Sequence, residues 1–152
     1  MEGMFSSCSS LFSLDGIENF DLTNVIKINR LFRYCTSLIN LDAISQWNTS
    51  NIKEMDSLFY KCISLNSLES IKKWNTSNVH NMNYMFEYCI SLLSINPILK
   101  WNLENLEYAG YMFSKCCSLS YIGDISKSDF KKFEKDDKNF EGCFQILEEE
   151  FQ

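Results

Sequence analysis

The sequence predicts a repeat solenoid, a chain wound in turns of 27 residues around one continuous interior. Three observations carry that prediction. Cys8, Cys35, Cys62, Cys89, Cys116 and Cys143 follow one another at steps of 27, as do Phe5, Phe32, Phe59, Phe86, Phe113 and Phe140, and Leu11, Leu38, Leu65, Leu92 and Leu119, with Ile146 in the sixth place. Within one turn the apolar residues recur almost every third position, through Val79, Met82, Met85, Phe86, Cys89, Leu92, Ile95, Ile98 and Trp101. That step matches neither the alternation of a half-buried strand nor the 3.6-residue period of an amphipathic helix. A polar cluster then closes each turn, as in Trp47-Asn48-Thr49-Ser50-Asn51 and Trp74-Asn75-Thr76-Ser77-Asn78.

Each part of the coil has a reason. The Met-x-x-Met-Phe side suits a short helical or 3₁₀ turn. The stretch just after each Cys, Leu38 to Asp42, Leu65 to Glu69 and Leu92 to Asn96, is the best place for short parallel β-strands, which would pair at about 4.8 Å. Asn, Thr and Ser side chains satisfy backbone groups where regular pairing stops, so the cluster after Trp marks a corner. The column Asn24, Asn51, Asn78 and Asn105 is read as an inward amide bonding the bend of the next coil. Past Ser126 the pattern decays: Ser128 takes the Trp slot, Lys132 the Asn slot, and Asp136 and Asn139 the Met slots. The 152 residues therefore read as one solenoid domain, about five coils over 1–127 and a degenerate capping coil over 128–152. Phe140, Phe144, Leu147 and Phe151 sit at helical spacing and suggest a short terminal helix.

Composition narrows the function classes. The net charge is −6, of which 128–152, with eight acids and four bases, carries −4. No basic stripe is available for a phosphate backbone, so nucleic acid is not an expected partner. Seven cysteines in a short chain could be a disulfide framework, but six occupy one apolar repeat position, which suits free buried thiols. No apolar run approaches the ~18 residues of a membrane span. No basic-then-apolar segment of signal type follows Met1, so the chain as written reads as cytoplasmic. MEGMFSSC aligns on the middle of a coil, MNYMFEYC, which points to an open end able to dock on something.

The unit W-N-T-S-N-[VI]-x-x-M-x-x-[ML]-F-x-x-C-x-S-L resembles the BspA-like leucine-rich repeats of bacterial and protist surface proteins, over Met1 to about Ile125. The resemblance implies a right-handed leucine-rich-repeat superhelix with a short parallel sheet on one face and turns on the other. It also implies adhesion or protein recognition at a cell surface, without a typical catalytic activity. Phe20-Asp21-Leu22-Thr23-Asn24 and Trp101-Asn102-Leu103-Glu104-Asn105 depart from the motif.

Residues that could carry chemistry are few. His80 is the only histidine, in a slot shared with Lys53 and Glu107, and no nucleophile pairs with it by motif, so no enzyme is expected. The Cys spacing lacks a C-x-x-C pair, and no phosphate loop or HExxH occurs, so neither metal nor cofactor is expected. The slots that change from coil to coil are more informative: Arg30, Ser57, Tyr84 and Tyr111 in one, and the pairs Arg33-Tyr34, Tyr60-Lys61, Glu87-Tyr88 and Ser114-Lys115. Tyr34, Tyr60, Tyr84, Tyr88, Tyr108 and Tyr111 all lie on the Met-Phe side and become the candidate partner-binding residues, because Tyr and Arg are enriched where proteins meet partners. The other candidate surface is the expected sheet side, with Ser13, Asn40, Ser67, Ser94 and Tyr121. Two functions follow: a non-enzymatic recognition or adhesion module offering a rigid face to a protein or surface glycan, and a structural solenoid that stacks through its open N-terminal coil on another chain.

Overall fold

The computed structural model describes residues 1–120, Ile122 and 137–143. The step of three in the sequence becomes a succession of tight turns. The amide of an inward residue donates to the carbonyl of the inward residue three before it: Cys35 to Phe32, Leu38 to Cys35, Ile44 to Leu41 and Trp47 to Ile44, at 3.1–3.2 Å. The next coil repeats the set as Cys62 to Phe59, Leu65 to Cys62, Ile71 to Leu68 and Trp74 to Ile71. Bending inward at every third residue brings the apolar side chains to the axis and polar ones outward. Ile28, Leu31, Phe32, Cys35, Leu38, Leu41, Ile44 and their copies in the next two coils have essentially no exposed surface.

Successive coils are joined by a second set of hydrogen bonds. The amides of Ile28, Arg30, Phe32 and Tyr34 donate to the carbonyls of Glu54, Asp56, Leu58 and Tyr60, at 2.8–3.1 Å. The same offset links Met55, Ser57, Phe59 and Lys61 to Asn81, Asn83, Met85 and Glu87, and Met82, Tyr84, Phe86 and Tyr88 to Tyr108, Gly110, Met112 and Ser114. On this arc every backbone–backbone bond between coils runs from the earlier coil to the later one. No return bond of that kind forms, because the amides of Leu58, Tyr60 and Cys62 already donate within their own coil, to Met55, Ser57 and Phe59.

This arrangement overturns the expected leucine-rich-repeat superhelix with short parallel β-strands. A parallel ladder needs bonds in both directions between neighbours, and among the described residues no strand of such a ladder forms. Two-way bonding survives only as isolated parallel bridges, Lys27 with Glu54, Glu54 with Asn81, and Asn81 with Tyr108, on the arc leading into the Met-Phe side. The stretches expected as strands instead lead into 3₁₀ turns at Asp42–Ile44, Glu69–Ile71 and Asn96–Ile98. Ser13, Asn40, Ser67 and Ser94 do not form a sheet face. Their side-chain oxygens accept the amides of Asp15, Asp42, Glu69 and Asn96, at 3.1–3.2 Å, and so set those turns. Tyr121, and the terminal helix proposed beyond Phe140, lie outside the described residues.

The repeated side chains stack in columns. The rings of Phe5, Phe32, Phe59, Phe86, Phe113 and Phe140 lie near-parallel at centroid separations of 5.6–5.7 Å, within the range favoured for offset stacking. Phe20, Trp47 and Trp74 form a second column at 6.3–6.5 Å. Each Trp indole N–H donates to an Ile carbonyl of the preceding coil, Trp47 to Ile17, Trp74 to Ile44 and Trp101 to Ile71. Asn51, Asn78 and Asn105 donate backwards to Thr23, Ser50 and Ser77 at 2.7–2.8 Å, so they hold the bend of the previous coil rather than the next. They stand at the surface; the buried polar corner residues are Thr49 and Thr76, whose hydroxyls donate to the Asn75 and Asn102 carbonyls. The sixth coil still keeps time at 137–143: Asp137–Phe140 is a 3₁₀ turn, and Phe140 stacks on Phe113 at 5.6 Å.

The thiols are free. Cys35, Cys62, Cys89, Cys116 and Cys143 each place Sγ 3.1–3.3 Å from the carbonyl of the preceding coil's Phe, as a weak donor inside the core. Burial pushes the Cys35 and Cys143 thiols up to about 11, and raises Cys62, Cys89 and Cys116 as well. Cys8 and Cys117 are exposed. Native alkylation followed by mass spectrometry is therefore expected to label Cys8 and Cys117 alone, with the five buried thiols reacting only after unfolding. Because the folded state holds these thiols protonated, their contribution to stability is complete below the ordinary thiol range near 9 and is lost as pH rises through about 11. The melting temperature should fall across that window.

Candidate functional site

The Met-Phe arc carries an unusual backbone. Arg30, Ser57, Tyr84 and Tyr111 have φ of 54–60°, as do Ser7, Tyr34, Lys61, Tyr88 and Lys115 at 57–64°. Gly3 holds the corresponding position in the first coil, φ 61°. Each full coil thus spends two residues, four apart, in the left-handed region, which costs an L-residue of order 1–2 kcal/mol. The conformation persists because the amides of Arg30, Tyr34, Ser57, Lys61, Tyr84 and Tyr88 are all inter-coil donors. These two columns are the first variable slot and the second member of each variable pair; the first members, Arg33, Tyr60, Glu87 and Ser114, are not left-handed. A left-handed residue turns its side chain out of the coil, so these side chains build a surface, with Ser57 buried beneath its larger neighbours.

Neighbouring rings on that surface touch. Tyr34 meets Tyr60 edge to face at 5.3 Å, and Tyr60 meets Tyr88 in the same way at 6.1 Å. Two cations are laid on this trio. The Arg33 guanidinium lies 4.5 Å from the Tyr34 ring centre and 5.1 Å from that of Tyr60, and the Lys61 ammonium lies 4.8–5.5 Å from Tyr34, Tyr60 and Tyr88. A second pair, Tyr84 and Tyr111, is stacked at 5.4 Å, with Lys138 5.9 Å from the Tyr111 ring. Tyr108 stands apart, 56% exposed, at the end of the line of bridges. Burial, followed by the charge of Glu87, lifts the Tyr60 phenol above its ordinary range.

Between the two tyrosine groups lies a cleft of about 420 Å³ lined by Arg30, Arg33, Asp56, Ser57, Tyr60, Tyr84 and Glu87. It spans three coils. One wall is the column Arg30, Ser57, Tyr84, and the other is Arg33, Tyr60, Glu87. The recess exists because Ser57 is the small member of its column, with larger side chains above and below. Arg30 is paired with Asp56 through Nε at 3.6 Å. Arg33 makes no ion pair among the described residues; its one polar contact is Nη2 to the Tyr34 hydroxyl at 3.5 Å. Burial raises the Glu87 carboxyl, against the pull of Lys61. Asp56 and the recess at Ser57 are absent from the sequence-based site, since a gap is a property of neighbouring coils. His80 lies half-exposed on another arc, Nδ1 3.1 Å from the Asn105 carbonyl and 3.9 Å from Glu107. Among the described residues no helix is long and apolar enough to cross a membrane.

Residues 1–121 and 39–150 match a family described as "Mycoplasma protein of unknown function, DUF285". The chain belongs to this family. DUF285 is BspA-like, so the resemblance read from the repeat holds at that coarse level. No curated protein matches. Among solved structures, this DUF285 chain is similar to a leucine rich cell surface protein from Faecalibacterium prausnitzii A2-165, at 17% identity and a TM-score of 0.28. That similarity covers 70% of this chain and 41% of the other, so the chain spans less than half the length of that protein.

The left-handed columns make a direct prediction. Arg30→Gly is expected to hold or raise stability by up to about 1 kcal/mol, and Arg30→Val to lower it by about 1–2 kcal/mol. Urea melts of the two variants read the difference; equal losses would mean that the backbone at this slot is not left-handed.

Proposed function

We propose that this chain is a non-enzymatic recognition module, of the adhesion type, that presents the Met-Phe arc as a rigid face to a macromolecular partner. The observation that carries the reading is the packed set of Tyr34, Tyr60 and Tyr88 with Arg33 and Lys61 laid over their rings. Tyrosines ordered by their neighbours lose little freedom on binding, which is what favours them as interface anchors. Hydrogen bonds between coils fix their backbones, so the face is preorganised. Replacing Tyr84, Tyr88 and Tyr111 together by Ser is expected to abolish retention of cell-surface material by the immobilised chain while leaving its melting temperature within a few degrees. Equal retention by parent and variant at equal stability would remove the reading.

A further inference from the structure

We propose that the cleft over Ser57 is a binding site for a carboxylate-bearing saccharide, an inference that rests on the recognition reading and names the ligand class for part of that face. None of the seven lining residues is aliphatic. A peptide partner draws much of its affinity from an apolar anchor seated in an apolar recess, and this recess has none. A sugar asks for something different: flat rings for its C–H faces, and donors and acceptors together for its hydroxyls. Tyr60 and Tyr84 supply rings on opposite walls, Arg30 supplies donors, and Asp56 and Glu87 supply acceptors.

The acid requirement comes from Arg33. Its contact with the Tyr34 and Tyr60 rings neutralises no charge, and the guanidinium N–H groups make one long bond, from Nη2 to the Tyr34 hydroxyl at 3.5 Å. Arg30 and Asp56 compensate one another across 3.6 Å, which leaves Arg33 as the cation in the cleft without a carboxylate. An in-plane fork of N–H groups fits a planar carboxylate in bidentate fashion. The volume of about 420 Å³ is in the range of small-ligand sites, and its opening across three coils allows a terminal sugar of a longer glycan to enter.

The test uses the 152-residue chain, titrated by calorimetry with N-acetylneuraminic acid and galacturonic acid, with galactose as the neutral counterpart and tetraglutamate as the acidic peptide. An acidic sugar is expected to bind at least about tenfold more tightly than galactose or tetraglutamate. Two variants should each lose that binding at an unchanged melting temperature. Ser57→Tyr fills the recess with a residue that the same left-handed slot already holds at Tyr84, and Arg33→Gln removes the fork. Tetraglutamate binding as well as the sugars would reassign the cleft to acidic peptides and overturn the proposal. Galactose binding equally well, sugar binding that survives Ser57→Tyr, or no binding by any probe would overturn it too. Capture of surface material through Tyr84, Tyr88 and Tyr111 is measured separately, so failure of the saccharide leaves the broader reading to stand or fall on its own experiment.

Discussion

The structure depends on how the carbonyl groups of one arc are shared out. At Ile28, Arg30 and Phe32 the carbonyl closes a turn within its own coil, whereas at Asn29, Leu31 and Arg33 it accepts an amide from the coil before. Neither set could be exchanged without orphaning backbone groups, which is costly in a core this dry. The allocation fixes the offset between coils, and through it the register of every column. It also gives the arc a direction, because the backbone–backbone bonds between coils on it run only from the earlier coil to the later one.

That constraint explains where strain is tolerated. A residue in the left-handed region would ordinarily be glycine, yet among the described repeat positions only Gly3 and Gly142 are, and arginine, serine, lysine and tyrosine hold the others. Ser7, Arg30, Tyr34, Ser57, Lys61, Tyr84, Tyr88 and Lys115 are each locked by an inter-coil amide bond, so the penalty is met by hydrogen bonding rather than by choice of side chain. With the side chain released from packing, the slot can vary without disturbing the Phe and Cys columns behind it. Stability and surface chemistry are thereby assigned to different residues of the same coil.

The columns, the period and the inward step of three were all readable, because a core residue that recurs at constant spacing leaves a mark in the sequence. The strands were misplaced for a physical reason. Leu38 to Asp42 is apolar enough for a strand, but the amides of Leu38 and Ile44 are taken by carbonyls three residues back, and Asn40 bonds the amide of Asp42. Local turn bonds of this kind are compatible with many sequences and leave no periodic sign beyond the step of three itself. The Asn column holds a bend, but from the surface rather than the interior and in the previous coil rather than the next, since composition carries no information on which neighbour a side chain reaches. The tyrosine face was legible as a set of variable slots. Its division into two ring groups was not, because it turns on what stands between them.

Ser57 shows how such a surface gains a shape. In its column the side chains read Arg30, Ser57, Tyr84 and Tyr111, so one small residue between large ones opens a recess one coil deep. The same serine at the end of the stack would open nothing, since a recess needs a wall on both sides. A site on this fold is therefore written by the order of residues down a column rather than by any motif along the chain, and the residues that form it are separated by whole coils. Changing one slot reshapes the surface while the amides that carry the backbone stay where they are, which is why a stack with a nearly invariant interior can carry surfaces of different shape.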